Sequence, residues 1–365
     1  MLLSVSGLSE GANVRHERAV RLAGNFRRYL FASFPPLRQV NYMLLPSPVW
    51  RPLVNSGLTH PGAICVDSAR QRLFVADTAA QVVVVYHFQV LRSGLLMTDG
   101  HRHVVMTSVV ARGLTVDVRG GVLFAAGSFK PPPPAEMREA VLRQDGGAIA
   151  GILAGGEISE PHTLWTPSNT ISGSAQNPQL FEPSSLVGDG LTVVWANRAR
   201  FEGTGAVVSA PASVPAIHPE RTVRPLADNL DNVTALALTP TLVFYAGAGR
   251  VYGVERHRHS MHCEGSGTDL CPAVLAQDGR TVNPSAMVWD GDGTIFVADN
   301  EHGVVLSFSS GTLARHSLTQ VAVSEGIFGL ATFVSVQSPG SGTSSARPGR
   351  RCVAIAALAS LLAAV

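Results

Sequence analysis

The segment HPGAICVDSARQRLFVADTAAQVVVVY, His60–Tyr86, returns near the other end of the chain as NPSAMVWDGDGTIFVADNEHGVVLSF, Asn283–Phe308. Each runs from proline and a small residue through an apolar stretch to aspartate. Each then crosses a polar turn, continues as Phe-Val-Ala-Asp, turns again and ends in a valine-rich run. Short apolar runs cut by Gly and Asp turns are the pattern of brief antiparallel strands. Two copies so far apart call for others between them.

Weaker copies are present: ARGLTVDVRGGVLFAAG at Ala111–Gly127, EPSSLVGDGLTVVWANR at Glu182–Arg198 and NVTALALTPTLVFYAG at Asn232–Gly247. With Asp67, Asp117, Asp189, Thr239 and Asp290 aligned, the spacings are 50, 72, 50 and 51. The long one is a single period plus an insertion of about 22 residues, placed at 146–178. A partial copy, IFGLATFV, follows at Ile327–Val334. A unit too small to bury its own apolar face implies an array, and a period near 50 with about four strands suits a propeller blade. The expectation is an all-β, six-bladed propeller of four-stranded antiparallel blades. Its ring is closed by the extended N-terminal segment Val40–Asn55, which supplies the outer strands that the partial copy lacks.

The motif Pro-x-Ala followed by an apolar run to Asp, then Leu/Ile-Phe-Val-Ala-Asp, stands at Pro61–Asp77 and Pro284–Asp299. Through it the chain resembles the NHL-repeat family of six-bladed propellers, over roughly residues 40–335. The gluconolactonase, paraoxonase and strictosidine-synthase-like propellers share the strand pattern. The first resemblance implies a non-enzymatic module that binds a protein or glycan partner through loops on one face; the second implies a metal-dependent lactone or ester hydrolase.

The chain has 365 residues, 15% charged and 45% hydrophobic, enough for one sizeable core and too apolar for wholesale disorder. A net charge of +2 argues against a nucleic-acid partner. The organisation read from composition is a basic extension at 1–39, disordered or targeting, the propeller at 40–336, a flexible linker at 337–351 and an apolar tail at 352–365. The tail, CVAIAALASLLAAV, carries no charge and follows SPGSGTSSARPGRR. It is shorter than the roughly 20 residues that span a bilayer. Small residues, a polar spacer and a terminal apolar stretch form the pattern of a GPI-attachment signal. Membrane association through this tail, at the cell surface, is therefore expected, with a cytoplasmic protein as the alternative.

Cys65 reads as a small buried apolar residue. Cys263 and Cys271 bracket a Gly/Ser/Asp loop and are the candidate disulfide. His257, His259 and His262 precede them, a spacing open to zinc or copper but without a second cluster. PPPP at Pro131–Pro134 reads as a stiff spacer.

The starts of innermost propeller strands meet around the axis. Seven positions before each aligned Asp or Thr stand His60, Val110, Glu182, Asn232 and Asn283. His60, Glu182, Asn232 and Asn283 form the candidate metal set, with Ca²⁺ or Zn²⁺ as the ion, since oxygen donors suit Ca²⁺ and the imidazole admits zinc. In the lactonase-like propellers the ligand sits nearer the strand, where this chain has Pro61, Pro183 and Pro284. No G-x-S-x-G, P-loop, G-x-G-x-x-G or H-E-x-x-H is present, so no catalytic residue is assigned. Asp77 and Asp299, each between an apolar strand and a turn, read as turn caps.

Overall fold

The computed structural model describes residues 26–130, 136–170, 180–198, 205–247, 250–256, 284–311 and 317–336. The chain divides into a unit of Tyr29–Phe333 and a second unit made of 1–28 with 334–365. The first of these is a six-bladed β-propeller, almost entirely β with one α-helix among the described residues.

Strands β1 (Phe26–Phe34), β2 (Gln39–Leu44) and β3 (Arg51–Val54) open the chain. The first complete blade is β4 (Pro61–Asp67), β5 (Arg72–Asp77) and β6 (Val82–Val90), with β7 (Leu96–Thr98) and β8 (His103–Thr107) both paired to β6. Next come β9 (Val109–Asp117), β10 (Val122–Phe129), β11 (Arg138–Gln144), helix α1 (Gly146–Leu153) and β12 (His162–Trp165). The third blade is β13 (Pro183–Gly188), β14 (Thr192–Asn197), β15 (Gly205–Pro211) and β16 (Arg224–Leu230). The fourth has three described strands, β17 (Ala235–Leu238), β18 (Leu242–Gly247) and β19 (Arg250–Glu255). The fifth is β20 (Pro284–Trp289), β21 (Thr294–Asp299), β22 (Val304–Ser309) and β23 (Thr319–Val323). The last sheet has the order β24-β1-β2-β3, where β24 is Leu330–Val336.

Two features depart from the sequence reading. Strand β1 begins at Phe26, inside the stretch read as an extension ending at residue 39, and is buried from Tyr29 to Phe34. The stretch read as an insertion at 146–178 supplies part of the second blade itself, because α1 lies within it and β12 is the fourth strand of that blade. Ile149 and Ile152 of α1 pack into the core between the first two blades, so the helix covers apolar surface before the chain returns to the sheet.

Burial explains why the second strand of each blade is so uniformly apolar. Leu73, Phe74, Val75 and Ala76 of β5 are all fully buried. Phe74 and Ala76 pack into the wedge shared with the second blade, Leu73 and Val75 into the wedge shared with the last. Among the described residues, six apolar clusters fill six wedges, each between neighbouring blades. Period-two alternation thus sends successive side chains to two different cores instead of to core and solvent.

Side chains also stitch blade to blade. Hydroxyls at the starts of inner strands donate to carbonyls of the next blade: Ser184 Oγ to Val233 O at 2.6 Å, Thr234 Oγ1 to Pro284 O at 2.6 Å and Ser285 Oγ to Ile327 O at 3.0 Å. Ser33 Oγ of β1 donates to Gly62 O at 2.6 Å. Between the second and third blades Gly113 serves instead, since a Cβ there would meet Leu186 N at 2.3 Å.

Candidate functional site

The inner strands β4, β9, β13, β17, β20 and β24 surround an axial channel of about 500 Å³. Its two ends are built differently. At the turn end, where each inner strand hands over to the second, the aligned residues cap the turn. Asp67 accepts from Arg70 N, Asp117 from Arg119 N and Gly120 N, and Asp189 from Leu191 N and Thr192 N. Thr239 accepts from Leu242 N, and Asp290 from Asp292 N and Thr294 N. Arg70 is bound to Asp67 at 3.1 Å and also reaches the carbonyls of Val118 and Arg119 in the next blade. Asp189 is paired with Arg256 of the fourth blade. Burial raises its pKa, but the Arg256 hydrogen bond and the N–H groups of Thr192 and Leu191 outweigh that and hold the carboxyl below its ordinary range.

At the other end, where inner strands begin, a second set of caps ties the ends of second strands to the chain entering the blade, at Asp77 and Asn197, or to the following turn, at Asp299. Asp77 accepts from Thr59 N at 2.8 Å and His60 N at 2.9 Å, and Asn197 from Phe181 N at 3.0 Å. Asp299 accepts from Glu301 N at 3.2 Å and lies 2.7 Å from His302 Nδ1. Asp77 and Asp299 are therefore occupied in shaping loops, as the sequence suggested.

The residues that follow these caps form the rim of the mouth. Thr78 engages His60, and Ser128 engages Arg112 and Glu139. Arg198 and Asn300 line the channel and make no side-chain hydrogen bond or ion pair among the described residues. Asn232 from the fourth blade also lines it, its amide without a partner among the described residues, and Phe328 completes the rim, 39% exposed. The guanidinium of Arg112, another lining residue, is taken up by Glu139 at 3.1 Å and Ser128 at 3.0 Å. Deeper, partly exposed Ala63, Thr115, Ser185, Val187, Ala286 and Val288 face the channel.

Of the four candidate metal residues, only Asn232 is among the described lining residues. His60 is exposed, with Nδ1 2.9 Å from Thr78 Oγ1. Glu182 is half-buried beside the mouth without lining the channel. Asn283 lies outside the described residues, as do Cys263, Cys271, the histidines before them, Pro131–Pro134 and the tail. Glu182 and Asn232 share a left-handed backbone, with φ of 38° and 35°, which asparagine tolerates better than glutamate. Among the described residues no three His, Cys, Asp or Glu side chains gather as metal ligands. Among the described residues there is thus no ready-made carboxylate or imidazole cluster for Ca²⁺ or Zn²⁺. Cys65 lines the channel wall, and burial, helped by nearby Asp67, pushes its thiol far above the ordinary range, away from thiolate chemistry.

Counting seven residues back from each Asp missed Arg198 and Asn300. A sequence signal for them exists: each directly follows the polar residue that ends a second strand, Asn197 or Asp299.

No family model matches the chain, and no curated protein matches it in sequence. Solved structures do share its fold. A chain of a nidogen/laminin complex is 11% identical with a TM-score of 0.55, covering 84% of this chain and 98% of that one. TolB from Acinetobacter baumannii is 9% identical with a TM-score of 0.52, covering 91% and 74%. A gluconolactonase from Xanthomonas campestris is 13% identical with a TM-score of 0.49, covering 82% and 86%. At these identities the likeness to the first two is one of fold alone.

Proposed function

We propose that this protein is a non-enzymatic, NHL-like propeller that binds a protein or glycan partner through the loops of one face and is held at a membrane by its C-terminal tail. The observation that carries the reading is the chemistry of the described channel lining. It offers guanidinium, amide and hydroxyl groups but no carboxylate or imidazole, so proton transfer there lacks its usual agents. Towards the two ends, the carboxylates of Asp67, Asp77, Asp189 and Asp299 are engaged in capping turns or pairing arginines. Donor-rich side chains beside an exposed aromatic are the make-up of recognition surfaces. Arginines followed by an uncharged apolar segment, Arg350–Val365, support the membrane attachment; no described helix is long and apolar enough to cross a bilayer.

The test is an ester and lactone turnover screen on the full chain, with and without chelator, beside binding to protein and glycan panels. Saturable partner binding without turnover is expected. Chelator-sensitive turnover lost in Glu182→Gln would overturn the reading in favour of a metal-dependent hydrolase using His60, Glu182, Asn232 and Asn283. For the tail, the full chain is expected in the membrane fraction and a chain ending at Gln337 in the supernatant; equal partitioning would remove the anchor.

A further inference from the structure

We propose that the strand-start mouth of the channel binds the carboxylate of a small aliphatic acid, with Arg198 as its charge partner. The inference goes beyond partner binding and does not depend on it.

Three observations meet at this place. The channel, about 500 Å³, falls within the roughly 300–1,000 Å³ typical of small-molecule pockets. Next, the ionic character of its described lining is one-sided. Arg112 and Arg198 are present without Asp, Glu or His. Since Arg112 is spent on Glu139 and Ser128, Arg198 is the lining cation left without an ion pair among the described residues. Finally, the neighbouring donors are unspent. The amides of Asn232 and Asn300 and the hydroxyl of Ser185 have no partner among the described residues, whereas Ser184, Thr234 and Ser285 are committed to blade stitching.

A planar guanidinium sharing one lining with amide and hydroxyl donors suits a carboxylate. Glu182 and Asp231 flank the mouth, and neither is without a partner. Below the donors the partly exposed wall is mainly apolar, with Ala63, Val187, Leu238, Ala286 and Val288; Thr115 adds one hydroxyl, and the Thr332 hydroxyl is given to Trp289 O. That wall favours a hydrocarbon body over a sugar or nucleotide, since a polar ligand would leave hydroxyls unpaired against it. The ligand class is therefore a monocarboxylic acid with a short aliphatic chain, head at the mouth and body along the axis.

Isothermal titration of the full-length protein with straight-chain monocarboxylates from acetate to octanoate tests this, with the matching primary alcohols and inorganic phosphate as comparison probes. The expected result is one saturable site per chain, tightening with chain length and absent for the alcohols and phosphate. Arg198→Gln should weaken acid binding roughly ten- to a hundredfold, with the unliganded melting temperature unchanged. Arg119→Gln, an exposed arginine at the turn end, should leave binding as it was. If Arg198→Gln lowers the melting temperature, Asn300→Ala decides instead, with several-fold weaker binding expected. Equal binding of alcohols would reduce the channel to an apolar cavity and overturn the proposal. Binding of phosphate as tight as that of the acids, no saturable site at any chain length, or full affinity in both mouth variants would overturn it as well.

Discussion

The two ends of the channel are made by the same repeat and use their polar side chains in opposite ways. At the turn end, Asp67, Asp117, Asp189, Thr239 and Asp290 each bond backbone N–H groups of their own turn, and two of them are further tied to arginines. At the mouth an inner layer of caps behaves alike, but the side chains of Arg198, Asn232 and Asn300 hold no partner among the described residues. The recurring positions are thus occupied with folding. The positions where the blades differ from one another are left with chemistry to spare, and that makes them the better guide to function.

Substitutions put this contrast at risk. The largest effect is expected between the two ends, at Gly113, where an added Cβ would run into Leu186 N at 2.3 Å. Gly113→Ala should cost about 3 kcal/mol or more, read from denaturant midpoints. A smaller loss would mean that the second and third blades can part and that the channel is not a rigid frame. Asp67→Ala should come next, at about 1–2 kcal/mol, because it removes the acceptor of Arg70 N and one partner of the Arg70 guanidinium that also reaches the neighbouring blade.

Asp189→Asn should cost only about 1 kcal/mol at neutral pH, since its pair with Arg256 is partly exposed. Its pH dependence separates charge from packing. The Asp189 carboxyl is depressed in the folded protein, so its contribution is present above the unfolded carboxylate pKa of about 3.9 and is lost as pH falls through the lower folded value. Chemical denaturation across the acid range should therefore show the variant converging on the parent at low pH. A constant gap would assign the effect to packing instead of charge. Smallest of all, Arg198→Gln and Asn300→Ala should change stability by less than about 0.5 kcal/mol. Mouth variants that unfold the protein as readily as Asp67→Ala would erase the distinction between the two ends.

Much of the scaffold was legible in one sequence because local chemistry writes it. The polar residue that closes an apolar run must cap a turn, and five such caps at near-constant spacing disclosed five blades. Thr239 stood in for aspartate without obscuring the register, since its hydroxyl accepts from Leu242 N in the same way. Strand β1 was harder to see. Its run YLFASF is buried throughout, so no exposed alternation marks it, and Arg27 and Arg28 made it resemble a basic extension. Strand β12 was hidden because α1 separates it from the sheet it joins.

The repeat, the turn caps and the number of blades depend on neighbours along the chain, so the order of residues was enough to set them. Which polar side chains are spent is a different matter, fixed when the blades come together. Whether Arg112 is neutralised depends on Glu139, in another strand of its blade. Whether Ser184 is free depends on a carbonyl in the next one. Hydrogen-bond partners are set by proximity in space, and the ring closes distances that the linear order leaves open.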